Sequence, residues 1–314
     1  MKIPATPRDL DRTMLSGIIP ILITPFSANG EIDEASLRRE VAWAVACGAH
    51  GLGIALASEI PRLSAAEKHR MTSIVVDEVR GRVPLVVHIG SEGSRLSADL
   101  ASEAAMLGAR AVMVPPPTFE VGGRSTVVGF FRDVVSATDL PVVLQDIPNA
   151  PVSPDVVRLL AQEFPGRIAV KIETAPSPLA VERMTSETQV LDVPVFGGAG
   201  GLHFFSEMLR GAVGSMPGCS LVDLFMDVWN DLQAGEADHA LRRFNEFQPL
   251  LALITLPQLL IPMHRHLLFM RGIFATAEAR QPCLTLSEVD IHELQQLWST
   301  TCERLPSLTS TEGF

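Results

Sequence analysis

The chain has 314 residues, 47% hydrophobic and 19% charged, with a formal net charge of −11. That composition excludes a disordered chain, and its acidity argues against nucleic acid or an anionic membrane as a partner. There is no tyrosine, and lysine occurs only at Lys2, Lys68 and Lys171, so amine chemistry has three candidates and phenol chemistry none.

The opening MKIPATPRDLDRTML lacks the 7–15-residue apolar core of a secretory signal, so a soluble, cytoplasmic chain is expected. Short Val/Ile/Leu-rich runs then begin near Ile18, Leu52, Leu85, Ala111, Val142, Ile168, Val193 and Ala212. They are mostly non-alternating, as strands buried on both faces are. The early ones recur about every 30 residues, which suits one strand–helix unit each. Helical stretches are predicted over Asp33–Cys47, Ser64–Val79 and Ser94–Leu107. Ser64 and Glu67 have the spacing of a capping box. A quasi-repeat, Cys47-Gly48-Ala49, Leu107-Gly108-Ala109 and Arg210-Gly211-Ala212, predicts left-handed glycine caps leading straight into strands. After Ser220 only helical patterns follow: Leu221–Leu232, Glu236–Leu256 and Leu286–Cys302. The apolar stretch Leu250–Met263, interrupted by Pro257 and Pro262, is too short to span a bilayer and is expected to be a buried helix or a subunit contact.

Eight such units suit a closed (β/α)8 TIM barrel with a C-terminal helical extension. The first strand runs into Thr24-Pro25-Phe26, with none of the G-x-G-x-x-G expected of a dinucleotide-binding sheet. The expected division is an N-terminal arm over 1–16, the barrel over 17–233 and packed helices over 234–314.

Barrel chemistry sits at the carboxyl ends of the strands. There Lys171 interrupts the apolar run Ile168–Ile172. Burying an ammonium favours the neutral amine, which can attack a carbonyl and form a Schiff base. A snorkelling or ion-paired lysine is the alternative. Strand alternation puts Ala169, Lys171 and Glu173 on one face and Ile168, Val170 and Ile172 on the other. Lys171 and Glu173 could be nucleophile and base, or simply a neutralising pair. Gln145 and Asp146 end the preceding strand, so Gln145 should neighbour Lys171 and could orient a hydroxyl or a water. Ser58, beside Ala57, could hold a carboxylate through its hydroxyl and nearby amides, and Thr24 ends the first strand. Gly198, within Gly197–Gly201, allows close approach of a ligand. No histidine or carboxylate cluster argues for a metal. His88 reads as a satisfied core histidine, and His264 and His266 as surface or inter-subunit residues. The four separated cysteines read as buried free thiols.

The order Gly17–Pro20 to Thr24-Pro25-Phe26, Gly51–Glu59 with Leu63-Ser64-x-x-Glu67-Lys68, Asp146-Ile147-Pro148 and Val170-Lys171 resembles the dihydrodipicolinate synthase / N-acetylneuraminate lyase family over nearly the whole chain. The resemblance implies a barrel whose lysine, here Lys171, forms a Schiff base with a 2-keto acid, without metal or organic cofactor. It also implies a homo-oligomer, usually a tetramer. Three departures matter. The family's G-T-T-G-E loop reads Ala55-Leu56-Ala57-Ser58-Glu59, and the tyrosine of its Y-N-x-P motif is replaced by Gln145. The arginine that synthases use soon afterwards has no match in Asn149-Ala150-Pro151. With Lys171-Ile172-Glu173 and Gly197-Gly198, these features resemble the sugar-acid dehydratase branch. That implies Lys171, Glu173 and Gln145 as catalytic residues and Ser58, Ala57, Thr24, Gly198 and Asp146 as substrate-binding ones. An aldolase releasing pyruvate, or a non-catalytic keto-acid-binding barrel, are the competing expectations.

Overall fold

The computed structural model describes residues 15–119 and 123–305; residues 1–14 of the expected arm, with Lys2, lie outside them. The strands are β1 (Gly17–Ile18), β2 (Leu52–Ile54), β3 (Leu85–His88), β4 (Ala111–Val114), β5 (Val142–Asp146), β6 (Ile168–Ile172), β7 (Val195–Gly197) and β8 (Gly214–Ser215). All are parallel to their neighbours, in the order β1-β8-β7-β6-β5-β4-β3-β2. The sheet closes where Gly53 N–H donates to Pro20 C=O and Leu22 N–H donates to Gly53 C=O, each at 2.9 Å. The expected (β/α)8 barrel is therefore present.

The first strand is shorter than its apolar run because Pro20 has no N–H to give. Ile19 and Ile21 still donate to Ser215 and Pro217, so the backbone stays in register beyond the regular ladder. Ile19, Ile21, Val86, Met113, Val143 and Phe196 belong to one cluster that fills the barrel. The opposite strand faces pack under the helices.

Those helices are α1 (Glu34–Ala46), α2 (Ala65–Val79), α3 (Ser94–Leu107), α4 (Arg124–Ser136), α5 (Pro154–Glu163), α6 (Ser177–Thr188), α7 (Phe204–Met208) and α8 (Val222–Gln233). The capping box forms: Glu67 N–H donates to Ser64 Oγ and Ser64 N–H to Glu67 Oε2. The repeated caps form too, with φ of 89°, 106° and 92° at Gly48, Gly108 and Gly211.

The extension comprises α9 (Ala237–Ile254), α10 (Leu260–Met270) and α11 (Glu288–Arg304). Phe204, Phe225, Phe244 and Phe247 meet edge to face, with ring centroids 5.2–6.3 Å apart, and join α7, α8 and α9. The Arg271 guanidinium lies 4.6 Å from the Trp43 ring and 4.7 Å from that of Trp298, tying α10 to α1 and α11. The apolar stretch Leu250–Met263 is not one helix: it ends α9, turns at Thr255–Leu259 and begins α10. Among the described residues no helix is long and apolar enough to cross a membrane.

Closure leaves no room at the β1–β8 seam. A Cβ on Gly214 would stand 2.0 Å from Gly17 C=O, a backbone atom that cannot swing aside. Gly214→Ala is expected to destabilise the barrel by about 2 kcal/mol or more. An unchanged midpoint in urea unfolding would show that the seam can open at little cost.

Candidate active site

Lys171 is the penultimate residue of β6 and only 4% exposed. Its neighbour Ala169 belongs to the cluster filling the barrel, whereas Ile168, Val170 and Ile172 pack under the helices. The predicted alternation is thus present, and Lys171 stands above the core at the barrel mouth. Gln145 of β5 is its register partner.

Three side chains form one polar array. Lys171 Nζ is 2.9 Å from Glu173 Oε1. Gln145 Nε2 donates to Glu173 Oε2 at 2.8 Å. Gln145 Oε1 is buried without a partner among the described residues, so it is an acceptor awaiting a donor. Burial alone would raise the Glu173 carboxyl. The adjacent Lys171 ammonium, with hydrogen bonds from Lys171, Gln145 and the Ala199 amide, more than offsets this and holds it below its ordinary value. Glu173 is therefore held as the carboxylate against Lys171 Nζ. Proton transfer from Lys171 to Glu173 would yield the neutral amine that nucleophilic attack requires.

A cleft of about 400 Å³ opens over this array. Lys171, Glu173, Gln145 and Ala57 line it, as expected from the sequence. So do Arg62, Gln258 and Cys283, which sequence reasoning missed. Arg62 stands only three residues after Glu59, the one local clue. Gln258 sits in the α9–α10 turn with φ of 71°, a left-handed conformation uncommon outside glycine. Cys283 comes from the segment before α11 and left no trace in the sequence. The remaining wall is apolar, from Leu56, Pro257, Leu260, Ile261, Pro262 and Leu284.

Other expected binding residues have different tasks. Ser58 Oγ donates to Leu22 C=O at 2.5 Å and accepts from Ala55 N–H, while Ser58 N–H donates to Ala55 C=O. Its hydroxyl and amide donors are thus taken by Leu22 and Ala55 beneath the cleft, while its neighbour Ala57 lines the cleft. Thr24 Oγ1 donates to Ser58 C=O at 2.5 Å and fixes the same loop. Asp146 Oδ1 accepts from Val152 N–H at 2.8 Å, and Oδ2 accepts from Thr174 N–H at 2.9 Å and Glu173 N–H at 3.3 Å. Asp146 thus braces the turn carrying Glu173 instead of meeting substrate.

The histidine readings also need correction. His264 is buried, 2.6 Å from Ser220 Oγ, and burial lowers its pKa to about 4; it is a core residue, not a surface one. His88 accepts from Gly90 N–H through Nδ1, but its buried Nε2 has no partner among the described residues, so it is only half satisfied. Among the described residues the one grouping with metal-ligand types is Asp231, Glu236 and His239. None of the three lines the cleft.

Gly198 sits against the array. A Cβ there would lie 2.5 Å from Glu173 Cγ, 2.6 Å from Ile172 C=O and 3.1 Å from Lys171 Cε. Gly198→Ala is expected to push Glu173 off Lys171 and slow borohydride capture of a keto acid at Lys171 by about tenfold or more, since sub-ångström misplacement of reacting groups is costly. Capture at the wild-type rate would show that the turn absorbs the methyl group.

The sequence matches the dihydrodipicolinate synthetase family over residues 14–300. A 4-hydroxy-tetrahydrodipicolinate synthase from Nitrobacter hamburgensis is 34% identical over 154 residues, 49% of this chain and 52% of that protein. One from Methanopyrus kandleri is 32% identical over 179 residues, 55% of this chain and 59% of that protein. The chain thus spans a little over half the length of the curated relatives it matches. The crystal structure of dihydrodipicolinate synthase from Rhodopseudomonas palustris superposes with a TM-score of 0.85 at 26% identity, covering 91% of this chain and 97% of that one. With a matching barrel and a lysine at the expected strand end, the chain belongs to the dihydrodipicolinate synthetase family.

Proposed function

We propose that the chain is a class I lyase, more narrowly a hydro-lyase, acting on a 2-keto-3-deoxy sugar acid. The substrate we assign is L-2-keto-3-deoxyarabonate, converted to 2-oxoglutarate semialdehyde and water. One observation carries this reading: Glu173 is held at once by Lys171 and Gln145, in a chain with no tyrosine to relay protons. The proton carrier is then a carboxylate steered by an amide.

The chemistry follows from that array. Lys171, having passed its proton to Glu173, adds to the C2 ketone; Glu173 returns that proton to the carbinolamine hydroxyl, whose loss as water gives the iminium and leaves Glu173 as the carboxylate. The iminium withdraws electrons from C3, and Glu173 removes a C3 proton to leave an enamine. The C4 hydroxyl donates to the open Gln145 Oε1, which fixes its orientation. Protonated Glu173 returns its proton to the departing C4 oxygen, and the enamine expels water to give a conjugated iminium. Loss of a C5 proton and protonation at C3 yield the enol of the aldehyde. Tautomerisation and hydrolysis of the iminium release the semialdehyde and regenerate Lys171. Substrate and product differ by one water, and the carbon chain stays intact.

The curated relatives bear the name of a condensing enzyme. Condensation would instead join a second carbonyl compound to the enamine through a new carbon–carbon bond. A homotetramer in the cytoplasm goes with the proposal, with a small keto acid as the sole ligand and no nucleic acid.

Borohydride added with pyruvate should attach the label to the peptide carrying Lys171. A label on Lys68, or none in an active preparation, would sink the Schiff-base step. Incubation with a panel of 2-keto-3-deoxy acids should give products lighter by one water; released pyruvate would mark an aldolase instead.

Glu173→Gln separates base from ion-pair partner. The amide keeps size and hydrogen bonding but accepts no proton. Turnover should fall about 100-fold or more, and imine capture should slow by much less, because water can also take the Lys171 proton whereas removal of the C3 proton needs the positioned base. Turnover within about threefold of wild type would remove Glu173 from the mechanism.

A further inference from the structure

Cys283, between α10 and α11, lines two cavities at once: the cleft above Lys171 and an adjoining one of about 320 Å³. Its segment is pinned, since the Arg280 guanidinium lies 4.6 Å from the Phe26 ring and pairs with Glu67 at 2.7 Å. The Cys283 side chain is partly exposed, and its S–H makes only a long contact to Leu284 C=O, at 3.5 Å. Arg265 of α10 lines the second cavity with it and is 1% exposed. Arg265 Nη2 donates to Glu59 and to Thr24 C=O. Its buried Nε and Nη1 have no hydrogen-bond partner among the described residues. The Cys283 sulfur faces this guanidinium within hydrogen-bonding reach. Idle N–H groups on a buried cation are costly, and an acceptor on that sulfur would satisfy them. The other three cysteines stand elsewhere: burial raises the thiols of Cys47, to about 12, and of Cys219 and Cys302, and none of them lines the cleft.

We propose that Cys283 is a redox-modification site of this cleft, oxidised by hydrogen peroxide and then capped by a low-molecular-weight thiol, with Arg265 receiving the charge on sulfur as it reacts. The thiolate attacks one peroxide oxygen; an S–O bond forms as the O–O bond breaks, and hydroxide departs. Sulfur loses two electrons to become the sulfenic acid, and the peroxide is reduced to water once the hydroxide takes a proton. The sulfenic oxygen offers the idle Arg265 N–H groups an acceptor. No second cysteine lines either cavity, so no resolving thiol of this chain stands there. A soluble thiol then attacks the sulfenic sulfur; its proton leaves with the hydroxyl as water, and a mixed disulfide remains. That cap occupies the cleft leading to Lys171, and chemistry there stops until excess thiol reduces the disulfide.

Peroxide treatment in the presence of dimedone, which traps sulfenic acids, tests the site, with the modified peptide identified by mass. The label should fall on the peptide carrying Cys283. A label confined to Cys47 or Cys302, or none at all, would overturn the proposal. Labelling of Cys283 should slow about tenfold or more in Arg265→Gln, the value of a lost charge-assisted contact, and by less in Arg265→Lys, which keeps the charge. Wild-type rates in both would remove Arg265 from the step; if neither variant folds, the wild-type label alone decides the site. Peroxide followed by glutathione should then largely abolish borohydride capture of pyruvate at Lys171, and excess dithiothreitol should restore it. Cys283→Ser, measured against its own untreated rate, should lose no capture on the same treatment. Undiminished capture in wild-type protein shown by mass to carry glutathione on Cys283 would mean that the cap does not close the cleft. This block rests on the keto-acid reading of the cleft. A wild-type protein that forms no imine would overturn that reading, while the dimedone label still decides Cys283.

Discussion

The cleft is organised around a buried ion pair, Lys171 with Glu173, at the mouth of a barrel whose interior is otherwise apolar. Neither charge would be tolerated alone: removing one partner of such a pair leaves an unpaired charge and costs about 3–5 kcal/mol. The surroundings are shaped to keep both. Gln145 donates to the carboxylate from the adjacent strand, and Asp146 gathers the amides of Glu173 and Thr174 so that the turn after β6 cannot drift. Gly198 leaves β7 without a side chain where Glu173 and Lys171 need the space. The array is thus fixed by three neighbouring strands, which is the rigidity a proton-transfer site needs.

A second charge node borders the same cleft. Glu59, fully buried, joins Arg62 at the cleft to Arg265 of α10, 206 residues later in the chain. Through it the C-terminal extension is fastened to the loop after β2. The same extension supplies the outer wall, through the α9–α10 turn and the segment before α11. The barrel therefore provides the reacting groups, and the extension determines the shape and dryness of the space above them.

The strand–helix alternation, the capping box of α2 and the glycine caps were all legible because each depends on residues a few positions apart. The face shared by Ala169, Lys171 and Glu173 follows from the two-residue period of a strand, and the pairing of Gln145 with Lys171 from the order of parallel strands. Ser58, Thr24 and Asp146 were read as binding residues because they end strands where barrel chemistry occurs. What position alone could not reveal is that their donors and acceptors are already satisfied by backbone groups elsewhere. His264 misled for a related reason: a histidine in a pattern of helix residues looks exposed until α10 is seen to pack it over Gly218 and Ser220.

By itself, the sequence determined the barrel, the lysine, the missing phenol and the carboxylate two residues on, because periodicity and residue chemistry are local properties. Only the tertiary structure decided which polar groups remain free to meet a ligand. Arg62, Gln258 and Cys283 reach one cleft from segments up to about 220 residues apart. Hydrogen bonding spends each donor once, and whether it has been spent depends on contacts that no local pattern records.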